Sequence, residues 1–592
     1  MLLKSTSNDY ETNMVTNIVT GPKIIARDIK VDDCLPADMH PVLKRIYLAR
    51  NISSATETEN NLQQLLPFDA LKGINEAASI LAKHLQEEKQ ILIVGDYDAD
   101  GATSCALAVR LLRAMGCRHV DYLVPNRFEY GYGLTPEIVK VASQSKPDLL
   151  VTVDNGIASV EGVKAAKASG IDVLVTDHHL PGEVLPDAVA IVNPNRPGDM
   201  FPSKNLAGVG VVFYLMAALR SHLRKLEWFA KKNIAEPNLA DYLDLVALGT
   251  VADVVKLDHN NRILVARGVA RMRAGKACAG IRALLKVSGR DEKNVVSTDL
   301  GFCLGPRLNA AGRLDDISIG IDCLLTDNDD EALEKALVLD AFNRERRTVE
   351  KAMREQAAVH LNTILECTPE KLPSAFCLFD PEFHEGVIGI LAGRIKEQLH
   401  RPTIVFARSG DDFIKGSARS IPGLHIRDAL DRVATSHPGL LSKFGGHAMA
   451  AGLTLRGADF EKFNTLFNET VNELVDADAL QQILHCDGTL PVSDTNLQMA
   501  EMLQNAGPWG QGFPEPQFEG QFEIIQRRIV GQHHLKLVLK AGEKNIDAIA
   551  FQTTDVDWPE QVNQVKLVYK LAVNEFNGRR SAQFIIDHLE PI

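Results

Sequence analysis

The chain has 592 residues, of which 45% are hydrophobic and 24% are charged, and its formal net charge is −13. A chain of this length is too long for a single hydrophobic core, so we expect several domains of ordinary globular composition. The negative charge argues against nucleic-acid binding that depends on bulk charge alone. Any contact with DNA would therefore need a local basic groove.

Nine cysteines are scattered along the sequence, and none forms a Cys-x-x-Cys pair. This usage indicates reduced, mostly buried thiols in a cytosolic protein. Residues 1–20 contain no apolar stretch of signal-peptide length, and no window of the sequence is long and apolar enough for a membrane span. We therefore expect a cytoplasmic protein without a membrane anchor.

Strand and helix patterns alternate from about residue 65 to residue 192. An amphipathic helix is predicted between Leu65 and Lys89, and a short apolar strand begins at Ile91. Thr135 is predicted to cap a helix that has Pro136 in its first turn. This alternation is typical of an α/β fold with a doubly wound, mostly parallel sheet.

Three aspartates, Asp96, Asp98 and Asp100, follow the first predicted strand at alternate positions. Ligands of open α/β sheets bind beyond the carboxyl ends of the strands. Three crowded carboxylates repel one another, so the pattern favours a bound cation. The alternative for any single residue is a helix-capping aspartate with solvated neighbours.

Two later strands also end in residues that commonly bind metals, namely Asp154-Asn-Gly156 and Asp177-His178-His179. Asp253 is a further candidate. Adjacent side chains on an extended backbone point in opposite directions, so at most one of His178 and His179 is expected as a direct ligand. The other histidine would then be available to contact substrate. Carboxylates with imidazole suit Mn²⁺ or Mg²⁺, and a carboxylate that bridges two such ions is the usual arrangement for in-line attack on phosphorus.

The order of these motifs resembles the DHH phosphoesterase superfamily, and their fuller forms are similar to the RecJ family of bacterial single-strand-specific exonucleases. The motifs that carry the resemblance are Asp96-Tyr-Asp-Ala-Asp-Gly101, Pro125-Asn-Arg127, Gly131-Tyr-Gly133, Asp154-Asn-Gly156, Asp177-His178-His179 and Asp253. The resemblance extends from about residue 40 to the end of the chain. It implies a 5′→3′ exonuclease that is specific for single-stranded DNA, releases 5′-mononucleotides, and acts in recombination and repair.

Two divalent metal ions, Mn²⁺ or Mg²⁺, are the expected cofactors. The candidate ligands are Asp98, Asp100, Asp154, His178 and Asp253, with Asp154 or Asp100 as the bridge. The candidates for orienting these ligands or contacting the scissile phosphate are Asp96, Asp177 and His179.

Substrate-binding residues are expected outside the metal cluster. The resemblance implies that Ser417, Arg419 and Arg313 hold a 5′-terminal phosphate while Arg127 supports the scissile region. Arg313 shares its motif with Asn309, and the alternative for that motif is a helix cap with surface arginines. A further string, Gly445-Gly446-His447, precedes a predicted small-residue helix whose N-terminal end would present N–H groups to an anion.

The expected domain organisation follows from these patterns and from the resemblance. The predicted parts are an N-terminal extension (1–64), a DHH catalytic domain (65–326), a connecting long helix (327–368), a DHHA1 domain (369–476) and an OB-fold nucleic-acid-binding domain (477–592). The last part rests on five predicted strands, which suggest a small β-barrel. Basic and aromatic residues alternate along these strands, which suits single-stranded nucleic acid.

Two other functions are compatible with parts of this pattern. One is an oligoribonuclease or cyclic-dinucleotide phosphodiesterase of the same superfamily, but the long helix and the barrel favour a longer polymer. The other is a non-catalytic replication scaffold with a degenerate site, which the complete set of carboxylates and histidines argues against. We expect a monomer that acts on single-stranded DNA. The family implies a single-strand-binding protein, helicases and recombination or mismatch-repair factors as partners.

Overall fold

The computed structural model describes residues 21–29, 31–33, 35–124, 133–367, 372–531, 534–551, 553, 562–576 and 578–592. The predicted substrate residue Arg127 lies outside these ranges. The chain divides into two compact units. The unit that contains the predicted metal ligands, called the catalytic unit below, comprises Ile29–Asn343 and Glu501–Glu515. The second unit comprises the described parts of Met1–Asp28, Arg344–Ala500 and Pro516–Ile592.

Strands occur in both units. They are β1 (Lys23–Ala26), β2 (Ile91–Val94), β3 (Val120–Leu123), β4 (Leu149–Val153), β5 (Asp172–Thr176), β6 (Ala190–Val192), β7 (Phe376–Phe379), β8 (Thr403–Ser409), β9 (Phe413–Arg419), β10 (Lys443–Gly446), β11 (Ala450–Arg456), β12 (Ile483–Cys486), β13 (Phe518–Val530), β14 (His534–Ala541), β15 (Lys544–Phe551), β16 (Gln564–Phe576) and β17 (Arg579–Pro591).

The main helices are α1 (Pro41–Leu48), α2 (Ile74–Gln86), α3 (Ala99–Ala114), α4 (Pro136–Ala142), α5 (Val160–Ala168), α6 (Gly208–Lys225), α7 (Trp228–Lys232), α8 (Leu243–Ala252), α9 (His259–Arg273), α10 (Ala279–Val287), α11 (Gly305–Leu314), α12 (Ser318–Leu325), α13 (Asp329–Cys367), α14 (Ile388–Leu399), α15 (Ile426–Ser436), α16 (Phe460–Leu474) and α17 (Leu497–Asn505). A π-helical turn, Leu300–Leu304, leads directly into α11. Among the described residues, no helix combines the length and apolar character that a membrane crossing requires.

The catalytic unit is built on a parallel sheet with the strand order β3-β2-β4-β5-β6. Every residue of β2 and of β4 is buried, which explains their continuous runs of apolar residues. Because the chain crosses over between parallel strands, the carboxyl ends of β2, β4 and β5 meet at one edge of the sheet. The predicted doubly wound α/β fold is confirmed.

The helix expected between Leu65 and Lys89 is shorter than predicted, since α2 begins only at Ile74. Gly73, immediately before it, has a φ of +82°, and a Cβ there would lie 2.5 Å from the carbonyl oxygen of Ile191. The chain therefore enters α2 through a left-handed glycine that packs against β6. The predicted cap is correct, because the hydroxyl of Thr135 accepts a hydrogen bond from the N–H of Ile138 (3.3 Å).

The second unit contains a five-stranded sheet with the order β10-β11-β9-β8-β7, in which only the β7–β8 pair is parallel. The prediction of a helix after Gly445 and Gly446 is wrong. These glycines end β10, which forms a hairpin with β11, and the N–H of His447 donates to the carbonyl oxygen of Ala450 (2.8 Å) at the turn. The alanines and glycines that follow pack as an antiparallel strand, so no helix N-terminus is present at this position.

The C-terminal strands close into a barrel with the order β13-β14-β15-β17-β16, in which β13 and β16 also pair. The predicted five-stranded barrel is thus confirmed. Near the start of the chain, β1 pairs in parallel with β12, just ahead of the barrel. The predicted long helix is also present, as the 39-residue α13.

Candidate metal centre

The turn after β2 carries the three alternating aspartates. Asp98 is the N-cap of α3, and its Oδ1 accepts hydrogen bonds from the N–H groups of Asp100 and Gly101 (2.9 Å each). The helix-capping alternative is therefore true of Asp98, and it coexists with a place in the acidic cluster. A Cβ at Gly101 would lie 2.4 Å from the carbonyl oxygen of Asp96, so only glycine permits this tight turn.

Asp100 is fully buried and points at the start of α6. Its carboxylate accepts hydrogen bonds from the N–H groups of Gly208 (2.6 Å) and Val209 (3.0 Å). A Cβ at Gly208 would lie 2.6 Å from the Cβ of Asp154, and one at Gly249 would lie 2.8 Å from Oδ1 of Asp100. These two glycines let α6 and α8 approach the carboxylates closely. Sequence reasoning did not identify them as part of the site.

Asp154 follows β4 in a left-handed conformation, with a φ of +61°. Aspartate tolerates this conformation better than most residues, because its short polar side chain can bond locally. Asn155 fixes the turn, since its amide nitrogen donates to the carbonyl oxygens of Val94 (3.1 Å) and Val153 (2.9 Å). The carboxyl ends of β2 and β4 are thereby tied together at the point where Asp154 projects.

The Asp177-His178-His179 turn differs from its prediction. Oδ1 of Asp177 accepts hydrogen bonds from the N–H groups of His178 (2.7 Å) and His179 (3.1 Å) and from Nδ1 of His179 (2.7 Å). This turn curls the backbone after β5, so the two imidazoles lie together, with ring centroids 4.4 Å apart. The expectation that they point in opposite directions is wrong because the backbone is no longer extended there.

Asp253 reaches the site from the C-terminal end of α8 rather than from a strand. Nε2 of His178 lies 3.1 Å from Oδ1 of Asp154 and 3.5 Å from Oδ2 of Asp253. Three groups of side chains have ligand atoms within 4.8 Å of one another. They are Asp154, His178 and His179; Asp100, His178 and Asp253; and Asp96, Asp98 and Asp154. The structure thus brings all five predicted ligands together and adds Asp96 and His179 to the cluster.

The electrostatics of the cluster favour added positive charge. Burial, followed by repulsion between neighbouring carboxylates, raises the pKa of Asp96, Asp154 and Asp253 well above the ordinary value. The same causes raise the pKa of Asp100 to about 7. Oδ2 of Asp253 is buried and accepts no hydrogen bond from the residues described. The candidate ligands are carboxylates and imidazoles, with no cysteine among them, and this set fits Mn²⁺ or Mg²⁺.

Asp177 and His179 behave as a pair beside the cluster. Burial alone would raise the pKa of Asp177, but the hydrogen bond and the charge of His179 lower it below the ordinary value. Burial likewise opposes the charged form of His179, yet the partnership with Asp177 raises the pKa of His179 to about 9. Asp177 thus orients a histidine at the edge of the acidic cluster.

Helix α11 packs against the aspartate turn. Oδ1 of Asn309 accepts a hydrogen bond from the N–H of Ala99 (2.7 Å), and a Cβ at Gly312 would lie 2.0 Å from the carbonyl oxygen of Tyr97. The side chain of Asn309 therefore holds the turn in place. Arg313 lies in the last turn of α11 and is half-buried.

Ser417 and Arg419 belong to the second unit, where they lie on one face of β9. Nη1 of Arg419 donates to Oγ of Ser417 (3.2 Å) and to the carbonyl oxygen of Ala418 (2.8 Å). A Cβ at Gly389, in the first turn of α14, would lie 2.8 Å from Nη2 of Arg419 and 2.9 Å from Oγ of Ser417. A guanidinium and a hydroxyl therefore meet the N-terminal turn of a helix, which is an arrangement suited to a phosphate.

Next to Ser417, two neighbouring positions of the sheet are glycines and carry no side chain. Ser417 pairs with Gly452 on β11, and Gly452 pairs with Gly445 on β10. Both glycines are exposed, and a Cβ added at either position would meet no heavy atom closer than 4.0 Å. Gly446 differs, because its backbone has a φ of +142° and a Cβ there would lie 2.5 Å from the carbonyl oxygen of Ala450. The row Ser417, Gly452 and Gly445 thus exposes backbone that a ligand can approach closely.

Family models match three parts of the chain. Residues 90–250 match the DHH family N-terminal domain, residues 372–473 the DHHA1 domain, and residues 486–588 the RecJ OB domain. Each matched range falls within the domain predicted for it, while the predicted boundaries themselves stay predictions.

Proteins named single-stranded-DNA-specific exonuclease RecJ are similar to the chain over almost its whole length. The protein from Salmonella typhimurium is 54% identical, with 94% of this chain and 97% of that protein covered. The protein from Escherichia coli is 52% identical, with 96% and 98% covered. A crystal structure of RecJ in complex with Mn²⁺ from Thermus thermophilus superposes with a TM-score of 0.77 at 30% identity, covering 96% of this chain and 80% of that one. Identity of this degree over almost the whole length of both chains shows that this chain belongs to the RecJ family.

Proposed function

We propose that the chain is a metal-dependent exonuclease that hydrolyses the phosphodiester bonds of single-stranded DNA. The observation that carries this proposal is the convergence of Asp100, Asp154, His178 and Asp253 from three strand ends and one helix end. The turn of Asp96 and Asp98 completes the cluster. Buried carboxylates that repel one another have no structural benefit by themselves, so the cluster is best explained by the cations that it would hold.

The two cations, Mn²⁺ or Mg²⁺, would be held by Asp98, Asp100, Asp154, His178 and Asp253. When bound, such ions supply hydroxide at neutral pH and neutralise the charge that develops on phosphorus. Asp154 is central to this set, because it shares one possible ligand group with Asp96 and Asp98 and another with the two histidines. Asp100 is held by two backbone N–H groups, which fix its orientation.

His179 has a different role from His178. Its Nδ1 bonds to Asp177, which fixes the ring orientation next to His178. We assign His179 to the scissile phosphate, where an imidazolium would stabilise the charge on the non-bridging oxygens. Asp177 acts through His179 and through the turn that it caps.

We infer the direction of digestion from the residues that are proposed to bind phosphate outside the metal cluster. Ser417 and Arg419 would hold a 5′-terminal phosphate, Arg313 would contact a phosphate of the DNA, and Arg127 would support the scissile region. An enzyme that recognises the 5′ end of the strand in this way proceeds 5′→3′ and releases 5′-mononucleotides. The basic and aromatic residues of the barrel bind the following nucleotides.

We infer the cellular setting from the proposed chemistry and from what the family leads us to expect. An enzyme that consumes single strands acts in DNA recombination and repair, after helicases have opened the duplex, and it meets strands covered by a single-strand-binding protein. We place it in the cytoplasm as a monomer, where its cysteines stay reduced.

The test is digestion of end-labelled single-stranded DNA with Mn²⁺, Mg²⁺ or a chelator. We expect mononucleotides to be released from the 5′ end when either metal is present, and no release when the metal is chelated. Blunt duplex DNA and a dinucleotide are the comparison substrates. A rate on duplex DNA equal to that on single strands, or turnover confined to the dinucleotide, would contradict the proposal.

A further inference from the structure

Residues 501–515 form a segment that we call the arm. The arm packs within the catalytic unit, although the chain on both sides of it, up to Ala500 and from Pro516, belongs to the second unit. Only two residues separate its end from barrel strand β13, which begins at Phe518. The arm is therefore the piece of chain that leads from the catalytic unit directly into the barrel.

An aromatic cluster fixes the arm to the catalytic unit. The rings of Trp509 and Phe513 stack with centroids 5.0 Å apart, and Tyr47 of α1 lies 6.4 Å from each of them. The guanidinium of Arg50 lies over Trp509 at 5.3 Å, and that of Arg262 lies over Phe513 at 4.4 Å. These stacked and cation–π contacts make the arm a specific docking segment rather than a loose connection.

The middle of the arm contacts the loop that follows Asp253. The carbonyl oxygen of Gln511 accepts a hydrogen bond from the N–H of Leu257 (2.7 Å). A Cβ at Gly510 would lie 2.7 Å from the side chain of Leu257, and one at Gly512 would lie 3.1 Å from the side chain of Lys256. The arm thus lies directly against residues 256–257, three to four positions after a metal-ligand candidate.

The loop between Asp253 and Leu257 contains a strained residue. Val254 has a φ of +62°, although it is β-branched, and it is 63% exposed. A β-branched residue adopts this conformation only when the surrounding structure fixes both of its flanks. On one side α8 ends at Ala252. On the other side the carbonyl oxygen of Lys256 accepts a hydrogen bond from Asn261 (2.9 Å), and the arm holds the N–H of Leu257.

We propose that the arm is a positioning element for Asp253. By holding residues 256–257 in place, it maintains the strained conformation of Val254, which in turn keeps the carboxylate of Asp253 in the metal cluster. The same arm leads along the chain into the first strand of the barrel. This inference rests on the proposed function, because it assigns a role in that same metal centre.

Two glycine substitutions test the arm. Gly512→Ala introduces a Cβ against Lys256 at a φ of +72°, whereas Gly289→Ala introduces one at a φ of +70° with no heavy atom within 4 Å. Both variants carry a similar backbone cost in the same unit, but only Gly512→Ala places its Cβ against the loop. Mn²⁺ binding is measured by calorimetry without DNA, and kcat and KM are measured on end-labelled single-stranded DNA. We expect Gly512→Ala to weaken Mn²⁺ binding and lower kcat by about tenfold each, with KM unchanged, and Gly289→Ala to match wild type.

A second pair of variants removes and restores the ring. Trp509→Ala should reproduce the loss of Mn²⁺ affinity, and Trp509→Phe, which keeps the stack on Phe513, should recover most of it. Wild-type Mn²⁺ affinity and kcat in Gly512→Ala, or an equal loss in Gly289→Ala, would overturn the inference. If Trp509→Ala does not fold, the glycine pair decides. A wild-type protein that neither binds Mn²⁺ nor cleaves DNA would contradict the proposed function instead.

Discussion

Nε2 of His178 lies 3.1 Å from Oδ1 of Asp154, which joins the residues that follow β5 and β4 at a single point. Asp253 approaches the same imidazole nitrogen from α8, at 3.5 Å. One histidine therefore contacts carboxylates from two different elements. The site depends on the sheet edge and on the end of α8 together. The contribution of each element can therefore be tested by separate mutations.

Asp154→Asn should abolish turnover without unfolding the protein. The amide keeps the size of the side chain but loses the charge, and Asp154 is the ligand candidate shared by two groups of the cluster. We expect the rate to fall by more than about 100-fold, because changes even beyond the direct ligands of a metal commonly cost 10- to 100-fold. The matched control is Asp172→Asn, at the exposed start of β5 on the opposite edge of the sheet. Equal rates for wild type and Asp154→Asn would refute the ligand assignment.

Substitution of Asp253 and substitution of Asp177 should have opposite effects on the stability of the metal-free protein. Burial and the repulsion of its neighbours raise the pKa of Asp253, so Asp253→Asn should relieve repulsion and raise Tm by about 2–4 °C. Asp177 has a lowered pKa because it accepts hydrogen bonds from His179 and the turn, so Asp177→Asn should lower Tm. Thermal unfolding in chelator, with and without added Mn²⁺, gives both shifts. A lower Tm for Asp253→Asn in chelator would contradict the role of repulsion.

Local patterns predicted the part of the site that lies at the strand ends. Buried parallel strands are short apolar runs, and an aspartate after such a run must lie at the sheet edge, so Asp98, Asp100 and Asp154 could be placed from sequence. The cap at Thr135 and the five barrel strands were predictable for the same reason, because turn and cap chemistry is local. Identification of the whole ligand set, however, required the resemblance to a family.

Two kinds of feature were not predictable, namely a local side-chain cap and contacts between distant parts of the chain. The two histidines share one side because Asp177 caps their turn, and no periodicity records that bond. The string after Gly446 consists of small residues that suit a helix or a strand, and its pairing with β9 decides for a strand. Gly208 and Gly249 matter because two helices approach Asp154 and Asp100, which sequence spacing does not show. The docking of residues 501–515 against α1 likewise depends on rings far apart in the chain.

The proposed phosphate group makes a prediction about the 5′ end. Arg419→Ala should remove the preference for a 5′-phosphate over a 5′-hydroxyl, since it deletes the guanidinium beside Ser417. A charged hydrogen bond contributes about 1.5–3 kcal/mol, which corresponds to roughly a 10- to 100-fold loss of kcat/KM on the phosphorylated strand. Arg408→Ala is the control, because Arg408 is exposed and precedes the turn between β8 and β9. Retention of the full phosphate preference in Arg419→Ala would contradict the assignment.

The exposed glycines beside Ser417 predict that a larger side chain there would hinder DNA binding without a loss of stability. Gly452 is exposed, and a Cβ there would meet only the carbonyl oxygen of Gly416, at 4.0 Å, so Gly452→Val should fold normally and even favour the strand. If DNA approaches this backbone closely, the valine should raise KM for single-stranded DNA by about tenfold or more, while Mn²⁺ binding and Tm stay unchanged or Tm rises. Thr454→Val, two residues along the same face of β11, is the matched control and should leave KM unaltered. Steady-state kinetics of both variants on a 5′-phosphorylated strand provide the measurement. A normal KM for Gly452→Val would mean that the substrate does not use this face of the sheet.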